Sequence, residues 1–123
     1  MKQISITINE IVLKATLLDT PTADAIYNAL PIDGQAQIWG DEIYFGIPVS
    51  MKEEAEAREE VEVGDLAFWP IGSAFCIFYG RTPVSNSEKP RAYSPVNVFG
   101  KIEGSVEVLK KVAPQSLVQV RKI

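Results

Sequence analysis

Residues 95–113 read PVNVFGKIEGSVEVLKKVA. The opening PVNVFGKI is apolar and β-branched, a strand beginning at a proline, and GSVEVLKKVA reads as a short helix capped by Ser105, with Val108, Leu109 and Val112 on one face. Toward the C-terminus, SLVQVRKI at 116–123 reads as a closing strand. On the other side lies RTPVSNSEKPRAYSP, residues 81–95, rich in Pro, Ser and Asn. Loops of this length inside a domain are uncommon unless they are functional or flexible.

Further back, VGDLAFWPIG (63–72) and GSAFCIFYG (72–80) read as successive strands, the first ending at Trp69-Pro70, where proline has no N–H for a ladder. AQIWGDEIYFGIPV (36–49) has two short extended runs around Gly40-Asp41, a hairpin with Trp39, Tyr44 and Phe45 grouped near its turn. IDGQ at 32–35 reads as a turn. In DTPTADAIYNALP (19–31), Thr20 caps a helix that starts at Pro21, carries Ala23, Ile26, Tyr27 and Leu30 on one face and stops at Pro31. KQISITIN and IVLKATLL, residues 2–9 and 11–18, alternate or run apolar on either side of Asn9-Glu10 and read as a hairpin. Many short strands with one helix near each end predict a mainly β protein, a closed antiparallel barrel with helices over its ends, formed by residues 1–123 as a single domain.

The formal charge of −4 is concentrated in MKEEAEAREEVE, residues 51–62, where six glutamates face Lys52 and Arg58; the remaining acids and bases balance. The apolar period at the end of that run favours a solvated loop leading into a strand. With no basic patch, nucleic acid is not an expected partner. The absence of histidine removes Ser–His and Cys–His nucleophiles and a histidine base, and leaves a poor ligand set for zinc. No cofactor or metal is expected. One cysteine forms no internal disulfide, and no leader or membrane-length apolar run is present, so a cytoplasmic, monomeric protein is expected.

Three segments resemble the cyclophilins: KATLLDTPTADAIYNAL, GSAFCIFYG and VNVFGKIEGSVEVLKKV, the last matching a V-F-G-K-V-x-E-G-x-x-V-x-x-I pattern in register. WGDEIYF, GDLAFWP and TPVS are similar to the small bacterial and archaeal cyclophilin-like family of unassigned function. This implies an eight-stranded barrel with two helices. It also implies that Gly46 stands where a cyclophilin carries the arginine that stabilises the twisted prolyl bond, a donor worth on the order of 3 kcal/mol. In the same comparison Ala74 and Cys76 replace larger pocket residues.

The expected function is a binding domain whose outer groove takes a small molecule or short peptide, with Trp39, Tyr44, Phe45, Trp69, Pro70, Cys76, Phe78, Thr82 and Ser85 as candidate contacts. Aromatics supply contact area at little entropic cost, and the two hydroxyls supply polar anchors. Period two puts Phe75, Ile77 and Tyr79 on one face of their strand and Ala74, Cys76 and Phe78 on the other. Asp41 and Glu42 flank the hairpin, where a carboxylate can bind a cation or polarise a substrate; a solvated role is the one expected of each. A cysteine on an apolar strand lacks the cation or helix terminus that would activate it, so Cys76 reads as a pocket residue and not a nucleophile. Two other functions fit the residues: a peptidyl-prolyl isomerase with a displaced arginine, Arg81 or Arg91, and a scaffold that engages partners through its acidic loop.

Overall fold

The computed structural model describes residues 2–123. β1 (Gln3–Ile8) and β2 (Ile11–Leu17) form a hairpin in which Ile8 faces Ile11 across the two-residue turn, and Asn9 takes the positive φ of 55° that this turn requires. Ile4, Ile6 and Ile8 are fully buried, as their alternation predicts. Helix α1 (Pro21–Ala29) begins where the Thr20 hydroxyl accepts the Ala23 N–H at 3.1 Å, and it sends Ala23, Ile26 and the following Leu30 into the core. Tyr27 stays at the boundary, its ring covered by the ammonium groups of Lys2 and Lys122 at 5.0 and 4.7 Å.

The remaining strands are β3 (Ile32–Gln35), β4 (Gln37–Ile38), β5 (Glu42–Gly46), β6 (Arg58–Glu60), β7 (Asp65–Trp69), β8 (Ala74–Phe78), β9 (Arg91–Ile102) and β10 (Leu117–Lys122). They form one antiparallel sheet in the order β3-β10-β1-β2-β9-β7-β8-β5-β4, with β6 added on β9. This corrects the expectation of a closed eight-stranded barrel with two helices: there are ten strands, no ladder joins the two ends, and α1 is the one α-helix among the described residues. The ends are nevertheless successive stretches of the same chain. β3 passes to β4 through Ala36, whose N–H donates to Ser116 O at 2.8 Å and whose carbonyl accepts from Gln115 N at 2.7 Å. Gly34 of β3 lies against Phe45 of β5, so closely that a Cβ on Gly34 would stand 2.6 Å from Phe45 Cδ2. The seam is therefore held by chain connectivity and packing.

Other local expectations are also corrected. IDGQ is β3, because pairing with Leu117–Val120 of β10 makes it extended in spite of its turn-like composition. The segment after Gly104 is a 3-10 helix, Glu107–Lys111, in which Leu109 is buried and Val108 only half-buried, with the flanking Val106 and Val112 also buried at a spacing of three. The 81–95 loop ends at Pro90; Arg91–Pro95 already belongs to β9, where β6 and an Arg91–Glu59 ion pair hold it. The acidic run forms no helix and supplies β6, as its apolar period predicts.

The main core lies on the inner face of the curved sheet. Phe75 stacks on Phe45 with centroids 5.0 Å apart and meets Phe99 edge-on at 5.1 Å. A fully buried phenylalanine contributes roughly 1.5–3 kcal/mol. A second, smaller cluster lies on the outer face, where Ala67, Ala74, Cys76 and Phe78 pack under Val61, Ala92 and Val96 of the β6–β9 ribbon. No helix of the described residues is long and apolar enough to cross a membrane.

Candidate functional site

The outer face of β5, β8 and β7 carries the site. Alternation along β5 turns Ile43 and Phe45 inward and leaves Glu42 and Tyr44 outside. Trp39 and Glu42 flank the tight turn and exchange backbone hydrogen bonds, at 2.9 and 3.2 Å, which sets their side chains on one side of the hairpin. Gly40, with φ 59°, makes this turn possible. Tyr44 stands opposite Cys76, and Cys76 opposite Ala67. Two small residues in the middle of the sheet leave a depression that larger ones would fill.

A cleft of about 200 Å³ results. Trp39, Trp69 and Tyr93 form its aromatic walls; Tyr93 meets Trp39 at 6.1 Å and 73°, and Trp69 at 6.2 Å and 84°. The Trp69 indole N–H is fixed by Ser94 Oγ at 2.6 Å. Cys76, Ala92 and Val96, all nearly inaccessible, make the floor, and Glu42 and Tyr44 complete the lining.

Glu42 is only 6 % exposed. Burial raises its pKa to about 7, offset in part by the neighbouring Cys76 thiol. The same proximity acts on the thiol. Burial first, then the Glu42 charge and its hydrogen bond, hold the Cys76 pKa well above its ordinary value, so this sulfur is an inert part of the floor. Cys76 Sγ also lies 3.9 Å from Ala74 O. Beside the cleft, burial followed by the charges of Asp41 and Glu42 lifts the Tyr79 phenol to about 12.

Of the residues singled out in the sequence, Trp39, Tyr44, Trp69 and Cys76 meet in this cleft. Phe45 is on the opposite face, in the main core. Phe78 faces outward as its alternation predicts, but lies fully buried beneath the surface of the outer cluster. Pro70 starts the turn after β7, outside the lining. Thr82 and Ser85 are committed to their own loop: Thr82 Oγ1 donates to Arg91 O at 2.5 Å, Thr82 N donates to Ser85 Oγ at 2.9 Å, and Ser85 Oγ donates to Lys89 O at 2.9 Å. Glu42, read as solvated, is instead buried in the site. Ala92 and Tyr93 were not legible, because the prolines at 90 and 95 make their stretch read as loop, and Val96, although on an expected strand, gave no sign that it faces the cleft.

Arg91 is paired with Glu59 at 2.5 Å, and Arg81 donates to Ser85 O at 3.3 Å; neither lines the cleft. Gly46 faces open space, with nothing within 4 Å of where a Cβ would stand.

A family model described as "Cyclophilin-like" matches residues 2–121. The solution structure of the hypothetical protein AF2241 from Archaeoglobus fulgidus is similar, with 38 % identity and a TM-score of 0.83 over 99 % of this chain and 95 % of that one. No curated protein matches the chain.

Proposed function

We propose that this chain, which belongs to the cyclophilin-like family, binds a small molecule or short extended peptide in the outer-face cleft and does not act as a prolyl isomerase. The observation that carries the reading is the cleft itself: a preformed apolar pocket between Trp39, Trp69 and Tyr93 with a single buried carboxylate, Glu42, in its lining. Ligand sites have this composition, mostly apolar walls with few placed polar groups. The isomerase alternative has less support, since Gly46 offers no donor and both Arg81 and Arg91 are engaged elsewhere. The acidic-loop scaffold is weakened in the same way, because Glu54, Glu59 and Glu62 all have partners within the chain.

A thermal-shift screen of metabolites and short peptides, followed by indole N–H spectra of Trp39 and Trp69, tests the reading. A ligand present at 100 times its dissociation constant adds about 2.7 kcal/mol of stability. Hits should move both indole signals. A screen at millimolar concentrations that shifts neither melting temperature nor indoles rejects the cleft as a binding site, and catalysis of prolyl isomerisation in a proline-peptide assay would move the reading to the enzyme.

A further inference from the structure

Taking the cleft as a binding site, we propose that its ligand is an organic cation, an alkylammonium head held between the indole and phenol rings with its charge toward Glu42. The comparison that points there lies within the molecule. Two carboxylates are almost fully buried, Glu42 at 6 % exposure and Asp65 at 4 %. Asp65 is compensated from inside the chain: it accepts the Glu62 N–H at 2.8 Å and has Lys101 Nζ at 3.8 Å and an Arg58 nitrogen at 4.0 Å. Glu42 has only a thiol, and it opens onto a cleft whose lining contains no Lys or Arg among the described residues. A buried carboxylate lacking a countercharge is expensive, and an entering cation supplies the missing partner.

The walls suit the same ligand. Tyr93 meets each of Trp39 and Trp69 edge to face, so the three rings lining the cleft are differently oriented, and aromatic rings attract a cation through their negative π faces. Indole is the strongest of these surfaces. The volume of about 200 Å³ is below the range of drug-sized sites, and fits a head group whose stem leaves the cleft. An anion would be repelled by Glu42. A neutral peptide carbonyl would need a donor, which Glu42 provides only when protonated, so the two occupants respond to pH with opposite signs.

The groups that face or flank Glu42 are Cys76 on β8, Tyr79 just after it, Tyr44 on its own strand, Asp41 in the turn and Tyr93 on β9. The pKa values of the thiol and the Tyr79 phenol are both pushed upward, so both groups stay protonated and uncharged between pH 6 and pH 8. With the Glu42 pKa near 7, the ionised fraction rises about tenfold from pH 6 to pH 8.

The experiment uses choline and its uncharged carbon isostere, 3,3-dimethylbutan-1-ol, read by tryptophan fluorescence and indole N–H shifts at pH 6 and 8. Choline should bind at least about tenfold more tightly than the isostere at pH 8, and about tenfold more tightly at pH 8 than at pH 6. Glu42→Gln, which preserves shape, should abolish the pH dependence and narrow the preference for choline to what the rings supply, and Trp39→Leu should weaken choline while leaving the pH dependence. Equal binding of the two probes, or binding that weakens as pH rises, overturns the cation assignment and leaves the cleft intact as a site for neutral ligands. Silence toward choline also overturns it; the cleft reading falls as well only if the metabolite and peptide screen is silent too.

Discussion

Glu42 carries the largest conflict between position and chemistry in this protein. Its carboxyl titrates near pH 7 in the folded chain against an ordinary value of 4.5, so between these values the native state holds a proton that the unfolded chain has released. Stability is then fullest below about pH 4.5 and is lost as pH rises toward 7, because ionisation in the buried site is opposed. A shift of this size corresponds to about 3 kcal/mol. Urea unfolding at pH 5 and pH 8 should show a fall of that order, and Glu42→Gln should remove it and exceed the parent at pH 8. If the parent and the Gln variant share one pH profile, the carboxylate is solvated and the site has been misread. In the sequence, Glu42 has the appearance of a turn-flanking acid; Trp39 stands beside it on the same hairpin, but Tyr93 and its β9 neighbours, which complete the cleft around it, come from another part of the chain. Cys76 is the reverse case, since its apolar strand context already indicates an unreactive thiol, and burial agrees.

Among the elements, β9 connects the most distant parts of the chain. Its Asn97, 1 % exposed, donates from Nδ2 to Lys52 O at 2.9 Å and Thr22 Oγ1 at 3.1 Å, while Oδ1 accepts the Glu54 N–H at 2.9 Å. The Glu54 carboxylate in turn accepts from the Thr22 N–H at 3.0 Å and from the Thr22 hydroxyl, placing negative charge at the first turn of α1. This network fastens the acidic segment over the helix start. Asn97→Ala would strip Glu54 N and Lys52 O of their partner; an unsatisfied group costs about 1–3 kcal/mol when fully buried, and these two are only part-buried. The expected loss is about 2 kcal/mol in urea unfolding, with faster amide exchange confined to residues 52–57 and α1. Unchanged exchange there would show that the segment is held by other contacts. The Thr20 cap and Pro21 start of α1 are readable locally, since capping involves residues three apart; the role of Glu54 depends on Thr22 and Asn97, and no local pattern announces it.

At the level of the whole molecule, no ladder joins the two ends of the sheet, and β3 meets β5 through packing alone. The seam depends on Gly34, where Phe45 occupies the space a side chain would need. Gly34→Ala should force Phe45 away from its stack on Phe75, costing about 2 kcal/mol as overpacking does. Gly46→Ala is the control, because its Cβ would meet nothing within 4 Å, and its stability should stay close to the parent or rise slightly. Thermal melts of the two variants decide the matter, and similar melting temperatures would mean that the seam tolerates separation.

The sequence by itself determined the hairpins at Asn9-Glu10 and Gly40-Asp41, the cap and stop of α1, and the two faces of GSAFCIFYG, because these follow from turn chemistry and periods of two and 3.6 within a few residues. It also suggested Trp39, Tyr44 and Trp69 as groove residues from their aromatic character and Cys76 from family resemblance, and these four line one cleft. Tertiary structure alone decided that IDGQ is a strand, that the second helix is a 3-10 turn, that Phe45 serves the seam and that Glu42 faces the cleft. Those outcomes are set by partners far away in the chain: β10 supplies hydrogen bonds to β3, and the β6–β9 ribbon takes water away from Glu42. Local propensity carries no record of either.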